Sequence, residues 1–171
     1  IYEEFIYKYL QGLEEFNIGP VISEQHRSKV LSYIELAKEE GGKILAGGNV
    51  PDKAGAWIEA TVIAGLSHTS RTATEEIFGP VVTVHKFDTD EEAIEMANST
   101  QYGLAGSVWS KNRGREVAEK IESGTVWVNT WLHRDLRVPF GGVKDSGVGR
   151  EGGMWSIGFF SEAVNICVME D

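Results

Sequence analysis

The sequence predicts an α/β fold: an open, mostly parallel sheet with helices on both faces, followed by a separate strand at the chain's end. Three observations predict it. Val81 to Phe87 is a β-branched run of strand length. From there to Asn129 strand and helix signals alternate, which favours right-handed crossovers and parallel pairing. Past a glycine-rich stretch at 130–153, apolar alternation resumes at Ala163 to Met169. A terminal apolar strand beyond a long loop often pairs outside its own domain.

Each element has its own signal. Phe5, Tyr9 and Leu13 stand at helical spacing in residues 1–16, with Ile6 and Leu10 beside them. Gly19-Pro20 breaks that helix, and Ser23 is a natural N-cap for a second one running to about Glu40. Its inward face carries Val30, Ile34 and Ala37, and Gly41-Gly42 ends it. Lys43 to Ala46 reads as a short strand and Trp57 to Ile63 as another. Thr89 and Glu92 form a capping box for a helix through Ala93, Ile94 and Ala97. Tyr102-Gly103 then turns the chain into a strand at Leu104 to Trp109. Asn112 is placed to cap a helix turning Val117, Ala118 and Ile121 inward. Gly124 stops it, and Thr125 to Asn129 is the next strand.

Composition narrows the functional classes. The 171 residues are 42% hydrophobic and 25% charged, as in an ordinary folded domain. A formal net charge of -10 argues against nucleic acid as a partner. No apolar run approaches membrane-spanning length. The chain opens on Ile1-Tyr2-Glu3-Glu4, acidic where a secretory leader is basic, and without Met, which reads as a start left by processing or a cut. One cysteine, Cys167, excludes an internal disulfide and suits the cytoplasm. It lies in the terminal strand with no His or Lys close in sequence, so it reads as a small buried hydrophobe rather than a nucleophile. Asn98-Ser99-Thr100 spells a glycosylation sequon but reads as the polar end of a helix. His26, His68, His85 and His133 show no metal-ligand spacing.

Three segments carry possible chemistry. In Glu75-Glu76-Ile77-Phe78-Gly79-Pro80 a carboxylate can accept both hydroxyls of a nicotinamide cofactor's ribose, and an aromatic two residues on can pack near the ring. The alternative is a solvated helix end with Phe78 in the core. In Asn129 to Arg137 a strand end is followed by Arg134 and Arg137, either of which could clamp a carboxylate. The alternative is that Asp135 pairs with one of them. The loop Val138 to Gly152 contains G-x-G-x-x-G at Gly147, Gly149 and Gly152. The polar run Lys144-Asp145-Ser146 before it speaks against a dinucleotide fingerprint and for a surface loop.

With these segments in hand, the chain resembles the C-terminal portion of an aldehyde dehydrogenase, essentially from end to end. Ile1 to Phe5, Gly19 to Ser23, Ser32-Tyr33-Ile34, Glu75 to Pro80, Tyr102 to Ala105, Gly124 to Asn129 and Pro139 to Gly142 follow in the family's order. Arg134 to Arg137, Gly149 to Gly153 and Asn165 to Val168 look most like the dehydrogenases of 2-hydroxymuconic and 2-aminomuconic semialdehydes. The connection Glu14 to Ile18 is shorter than the family's usual stretch there.

The resemblance implies a partial catalytic domain at 1–160 and an oligomerisation arm at 161–171. It implies that Glu76 and Phe78 bind NAD, with NADP left open. It gives Arg134 the substrate's distal carboxylate, with Arg137 as the second candidate, and places Phe140 in the substrate tunnel. The family's reaction runs through a cysteine thiolate, hydride transfer and thioester hydrolysis assisted by a glutamate. Those groups correspond to positions before residue 1, so no catalytic residue and no metal ligand is assigned here. The expected partners are a small aldehyde and further copies of the chain or a full-length subunit, with no nucleic acid and no membrane. The isolated chain is expected to be inactive and prone to association. Two other readings remain: a noncatalytic module pairing through its terminal strand, and an unrelated nucleotide-binding domain built on Gly147 to Gly152.

Overall fold

The computed structural model describes residues 1–170. The chain forms two compact units, one at Ile1–Thr89 and the other from Asp90 onward.

The first unit is built around α2 (Glu24–Glu39). Its N-cap is Ser23, whose Oγ accepts the His26 N–H at 3.1 Å. Val30, Ile34 and Ala37, one face at helical spacing, are fully buried. They meet a three-stranded sheet ordered β1-β2-β3, with β1 at Lys43–Ala46, β2 at Thr61–Ala64 and β3 at Val81–Val84. β2 is central and all four of its residues are buried, so it carries no polar face. It pairs antiparallel with β1 and parallel with β3, in the register Thr61↔Val81 to Ala64↔Val84. The expected strand from Trp57 is shorter than predicted. Ala56 and Ile58 are buried as alternation requires, but the ladder begins only at Thr61, where Pro80 O accepts the Thr61 N–H at 2.8 Å. The crossover from β2 to β3 contains the four-residue helix α3 (Arg71–Thr74), followed by the turn Glu75 to Pro80.

Helix α1 (Tyr2–Glu14) forms as expected but buries nothing fully. Its half-buried seam is Tyr2, Ile6, Leu10 and Leu13, while Phe5 and Tyr9 stay exposed with their rings 5.7 Å apart.

In the second unit, α4 (Asp90–Asn98) ends where the sequon begins. The Asn98 side chain donates to Lys120 O at 2.9 Å and accepts from Glu122 N at 2.8 Å, so it is a structural clamp. β4 (Tyr102–Gly103) is followed by β5 (Ala105–Val108), α5 (Gly114–Ala118) and β6 (Thr125–Val128), with β5 and β6 parallel. Asn112 does not cap α5. The helix starts one residue later than expected, with Arg113 as its N-cap and no side-chain capping bond, and Ser110 Oγ accepts the Arg113 N–H at 3.2 Å in the turn before it. The stretch 130–153 is not all loop: β7 (Val143–Lys144) pairs antiparallel with β4, and Phe140 bridges to Glu151. The apolar helix α6 (Gly153–Phe160) has no counterpart in the prediction, because its glycine-rich start hides its period.

The α/β class with parallel pairs therefore stands, the strands sorting into one triplet and two pairs. Residues 161–170 lie outside helix and strand and are exposed. A strand is defined by its ladder, and among the described residues this segment has no ladder partner.

Candidate functional site

The turn entering β3 separates two adjacent glutamates. Glu75 lies four residues after Arg71 and takes its guanidinium through two contacts, Nε to Oε1 at 2.7 Å and Nη2 to Oε2 at 3.0 Å. Tyr33 on α2 donates its hydroxyl to Oε2 at 2.7 Å. The guanidinium, and after it the phenol, hold the Glu75 carboxyl down from 4.5 to about 2. Glu75 is thereby committed to anchoring the turn.

Glu76 is exposed, and its backbone carbonyl accepts from Lys29 Nζ at 3.0 Å. Its carboxylate has no hydrogen-bond or ion-pair partner among the described residues. Ile77 turns into the core beside Val30, Ile34 and Ile58. Phe78 points outward, 75% exposed, at a positive φ of 57° that is strained for a bulky residue. The core position that the alternative reading gave Phe78 thus belongs to Ile77.

Helix α2 holds this conformation from one side. His26 Nε2 lies 2.6 Å from Phe78 O, and its ring stands edge-on to the Phe78 ring. Lys29 holds the Glu76 carbonyl, and a Cβ on Gly79 would come within 2.6 Å of Val30 Cγ2. A larger residue at 79 would push the turn off the helix.

In the second unit the strand end at β6 sets the next group. Asn129, at φ 53°, accepts from Ser110 N and donates to Ser110 O, both at 2.9 Å. Trp127 is buried, donates to His133 O at 2.8 Å and packs edge-on against Trp131. These contacts tie residues 129–133 to the sheet and deliver Arg134. Its guanidinium carbon lies 4.0 Å from the centre of the Phe140 ring, and its Nη2 contacts Glu151 Oε1 at 2.6 Å. Phe140 and Glu151 exchange two backbone hydrogen bonds of 2.8 Å each. Phe140 and Glu151 also line a hollow of about 420 Å³ with Leu104, Gly141 and Arg150.

Arg137 behaves differently. It is 88% exposed, and its Nε and Nη2 grip both oxygens of Asp135 at 2.5–3.1 Å. The pair holds the Asp135 carboxyl below its ordinary range and raises Arg137. The structural ion pair allowed by the sequence is thus Asp135 with Arg137, and Arg134 keeps most of its donors.

Cys167 corrects an expectation. It is exposed, as is the whole segment 161–170, and its Sγ lies 3.7 Å from Asn165 Oδ1. No group of three metal-ligating side chains occurs among the described residues. No helix is long and apolar enough to cross a membrane among the described residues.

The structure brings Glu76 and Phe78 together on one turn, and Arg134 and Phe140 into one stack. Sequence reasoning passed over His26, Lys29 and Glu151. His26 and Lys29 share one face of α2, but only the fold brings residues some fifty positions away onto that face. Glu151 is 17 residues from Arg134 and no periodicity joins them. The Arg71–Glu75 pair was legible, since its spacing is that of a helical ion pair.

The aldehyde dehydrogenase family matches residues 7–166. A 2-aminomuconic 6-semialdehyde dehydrogenase of Pseudomonas sp. is 55% identical over 161 residues, covering 90% of this chain and 33% of that protein. A 2-hydroxymuconic semialdehyde dehydrogenase of Pseudomonas sp. strain CF600 is 46% identical over 185 residues, covering 98% and 38%. Among solved structures, a betaine aldehyde dehydrogenase of Staphylococcus aureus in complex with NAD+ aligns with a TM-score of 0.86 at 40% identity, covering 92% of this chain and 35% of that one. The chain thus spans about a third of the length of the relatives it matches.

Proposed function

The chain belongs to the aldehyde dehydrogenase family, and on that premise we propose that it is the part of an NAD-dependent enzyme that grips the cofactor's ribose and the tail of an acid-bearing semialdehyde. The enzyme's reaction is the oxidation of that aldehyde to the carboxylic acid.

One observation carries the reading. Of the two glutamates at the turn into β3, only Glu76 has an uncommitted carboxylate, and it stands beside an outward Phe78 fixed at a strained dihedral. That pairing fits a nicotinamide riboside: a bidentate acceptor for two vicinal hydroxyls next to an aromatic face. Gly79 keeps the turn against α2. Bound NAD supplies the hydride acceptor. This chain's residues bind and orient it: Glu76 by its carboxylate, Phe78 by its ring, with His26 and Lys29 holding the turn's carbonyls.

Arg134 is the group that takes the substrate's far carboxylate, so that the aldehyde end is presented to the nucleophile. Its guanidinium carbon lies 4.0 Å from the centre of the Phe140 ring, and a planar fork suits a carboxylate better than the point charge of Lys. A muconic-type semialdehyde is the substrate class, in keeping with the names of the relatives reported above. Neither the nucleophile nor the general base is assigned to this chain, and Cys167 has no role in the chemistry. Residues 1–160 are then a partial catalytic domain. Residues 161–171 are an arm that pairs with a second subunit, which suits the exposed Val164, Ile166 and Val168.

The test is kinetic, in the complete subunit. Arg134→Ala is expected to raise KM for an acid-tailed aldehyde by about ten- to a hundredfold, the equivalent of one charge-assisted contact of about 1.5–3 kcal/mol. A tail-less aldehyde of equal length should lose far less, and Arg137→Ala should change either little. Equal losses on both substrates with Arg134→Ala would refute the assignment.

A further inference from the structure

We infer that Tyr33 is a positioning residue for the cofactor: by tying the Glu75 carboxylate to α2 it sets which way the turn faces, and so makes Glu76, not Glu75, the glutamate that meets the ribose. This rests on the reading of Glu76 given above.

The two neighbours are chemically identical, so only the fold can choose between them. Glu75 has extended backbone, with φ -91° and ψ 151°, and along extended chain successive side chains point to opposite sides. The contacts follow that period. Glu75 turns towards α2, where Tyr33 donates its hydroxyl to Oε2 at 2.7 Å. Ile77, two residues on, joins the core of Val30, Ile34 and Ile58. Glu76 lies between them and takes the other side. A slip of one residue would turn Glu75 out and Glu76 in.

Helix α2 guards the register along its length, and the segment 71–79 follows it in reverse order. The Glu40 carboxylate, at the helix's C-cap, accepts the N–H groups of Arg71 and Thr72 at 2.8 and 3.1 Å. Tyr33 then takes Glu75, Lys29 takes the Glu76 carbonyl, and His26 takes the Phe78 carbonyl. His26, Lys29 and Tyr33 stand three and four residues apart, on one face of the helix. The ties from Glu40, Lys29 and His26 all hold backbone groups, which are the same at every residue and cannot tell one glutamate from its neighbour. The bond from Tyr33 holds a side chain and can. Arg71 does not replace it. Arg71 lies four residues before Glu75 in the same segment, so their pair moves with the segment and does not register it against the helix.

The experiment measures the dissociation constant of NAD by calorimetry in the complete subunit, for Tyr33→Phe, Glu76→Gln and the double variant. Tyr33→Phe keeps the ring and removes only the hydroxyl. It should weaken NAD binding by about three- to tenfold, a part of the worth of one charge-assisted hydrogen bond. In the Glu76→Gln background the same change should have little further effect, because the ribose grip it serves is already lost. Glu75→Gln, which leaves the helix untouched and weakens the bond from its other end, should shift binding in the same direction. It decides the matter if Tyr33→Phe does not fold. If Glu76→Gln leaves NAD binding unchanged, the reading of Glu76 itself fails. If Glu76→Gln weakens binding but Tyr33→Phe does not, or does so by the same factor in both backgrounds, Tyr33 is only a strut of the fold and this inference alone is overturned.

Discussion

The two units of this chain solve the same problem with different means. In the first, α2 and a central strand bury a continuous set of branched residues: Val30, Ile34, Ile58, Val62 and Ile63. In the second, Trp127 is the one large apolar side chain that is buried among the described residues, and it keeps 8% of its surface exposed. Order there comes from polar clamps and close glycine contacts: Asn98 on the 120–122 turn, Asn129 on Ser110, and Gly124 against Gly141. The turn that carries Glu76 and Phe78 therefore rests on a core that packing alone specifies. The Arg134 stack rests on a framework of hydrogen bonds, with much apolar surface left open at Trp155, Phe159 and Phe160. Exposed surface of that kind favours association.

The largest expected effect breaks the first unit. Ile34→Ala removes a fully buried side chain and should cost about 2–5 kcal/mol in denaturant unfolding. Val128→Ala, at a half-buried position on β6, should cost clearly less. Equal costs would erase the contrast between the units.

The second effect tests the glycine framework. A Cβ on Gly124 would lie 1.6 Å from Gly141 O, a backbone atom that cannot turn aside. Gly124→Ala should cost about 1–3 kcal/mol or more and shift the amide signals of residues 140–142, Phe140 among them. Gly79→Ala meets a valine methyl instead and should be milder. The reverse order would mean that the second unit yields where the first does not.

The smallest effect is electrostatic and sharpens the comparison at the turns. The Glu75 carboxyl is depressed from 4.5 to about 2, chiefly by Arg71, so its ionised pairing supports the folded turn above about pH 4.5. That support is lost as pH falls from 4.5 towards 2. Carboxyl-carbon NMR should show Glu75 titrating near the low end of this window, and Arg71→Ala should move it back towards 4.5. A wild-type Glu75 that titrates near 4.5 would show that the pair does not persist in solution.

Much of this organisation was legible in the sequence, for physical reasons that differ by region. Ser23, Val30, Ile34 and Ala37 were readable because capping and helical period are local properties. Lys43 to Ala46 and Val81 onward were readable because short branched runs between glycine signals leave few alternatives. The first unit's packing follows directly from such patterns. The second unit's does not. The bridge from Phe140 to Glu151 and helix α6 lie in a glycine-rich stretch where periodicity is lost. Cys167 looked buried because alternation in a strand implies a covered face, but residues 161–170 are all exposed among the described residues. The candidates Glu76, Phe78, Arg134 and Phe140 were named from motifs and the family resemblance. Their holders, His26 and Lys29 on α2, come from the fold alone, as does the division of labour between Arg134 and Arg137.

The most direct test is a crystal structure of the complete subunit with NAD and an acid-tailed product bound. The Glu76 carboxylate is expected to accept both hydroxyls of the nicotinamide ribose, with Phe78 against the same end of the cofactor and Arg134 on the product's distal carboxylate. A cofactor whose ribose lies away from Glu76, with a product tail that ignores Arg134, would contradict the roles given to this chain.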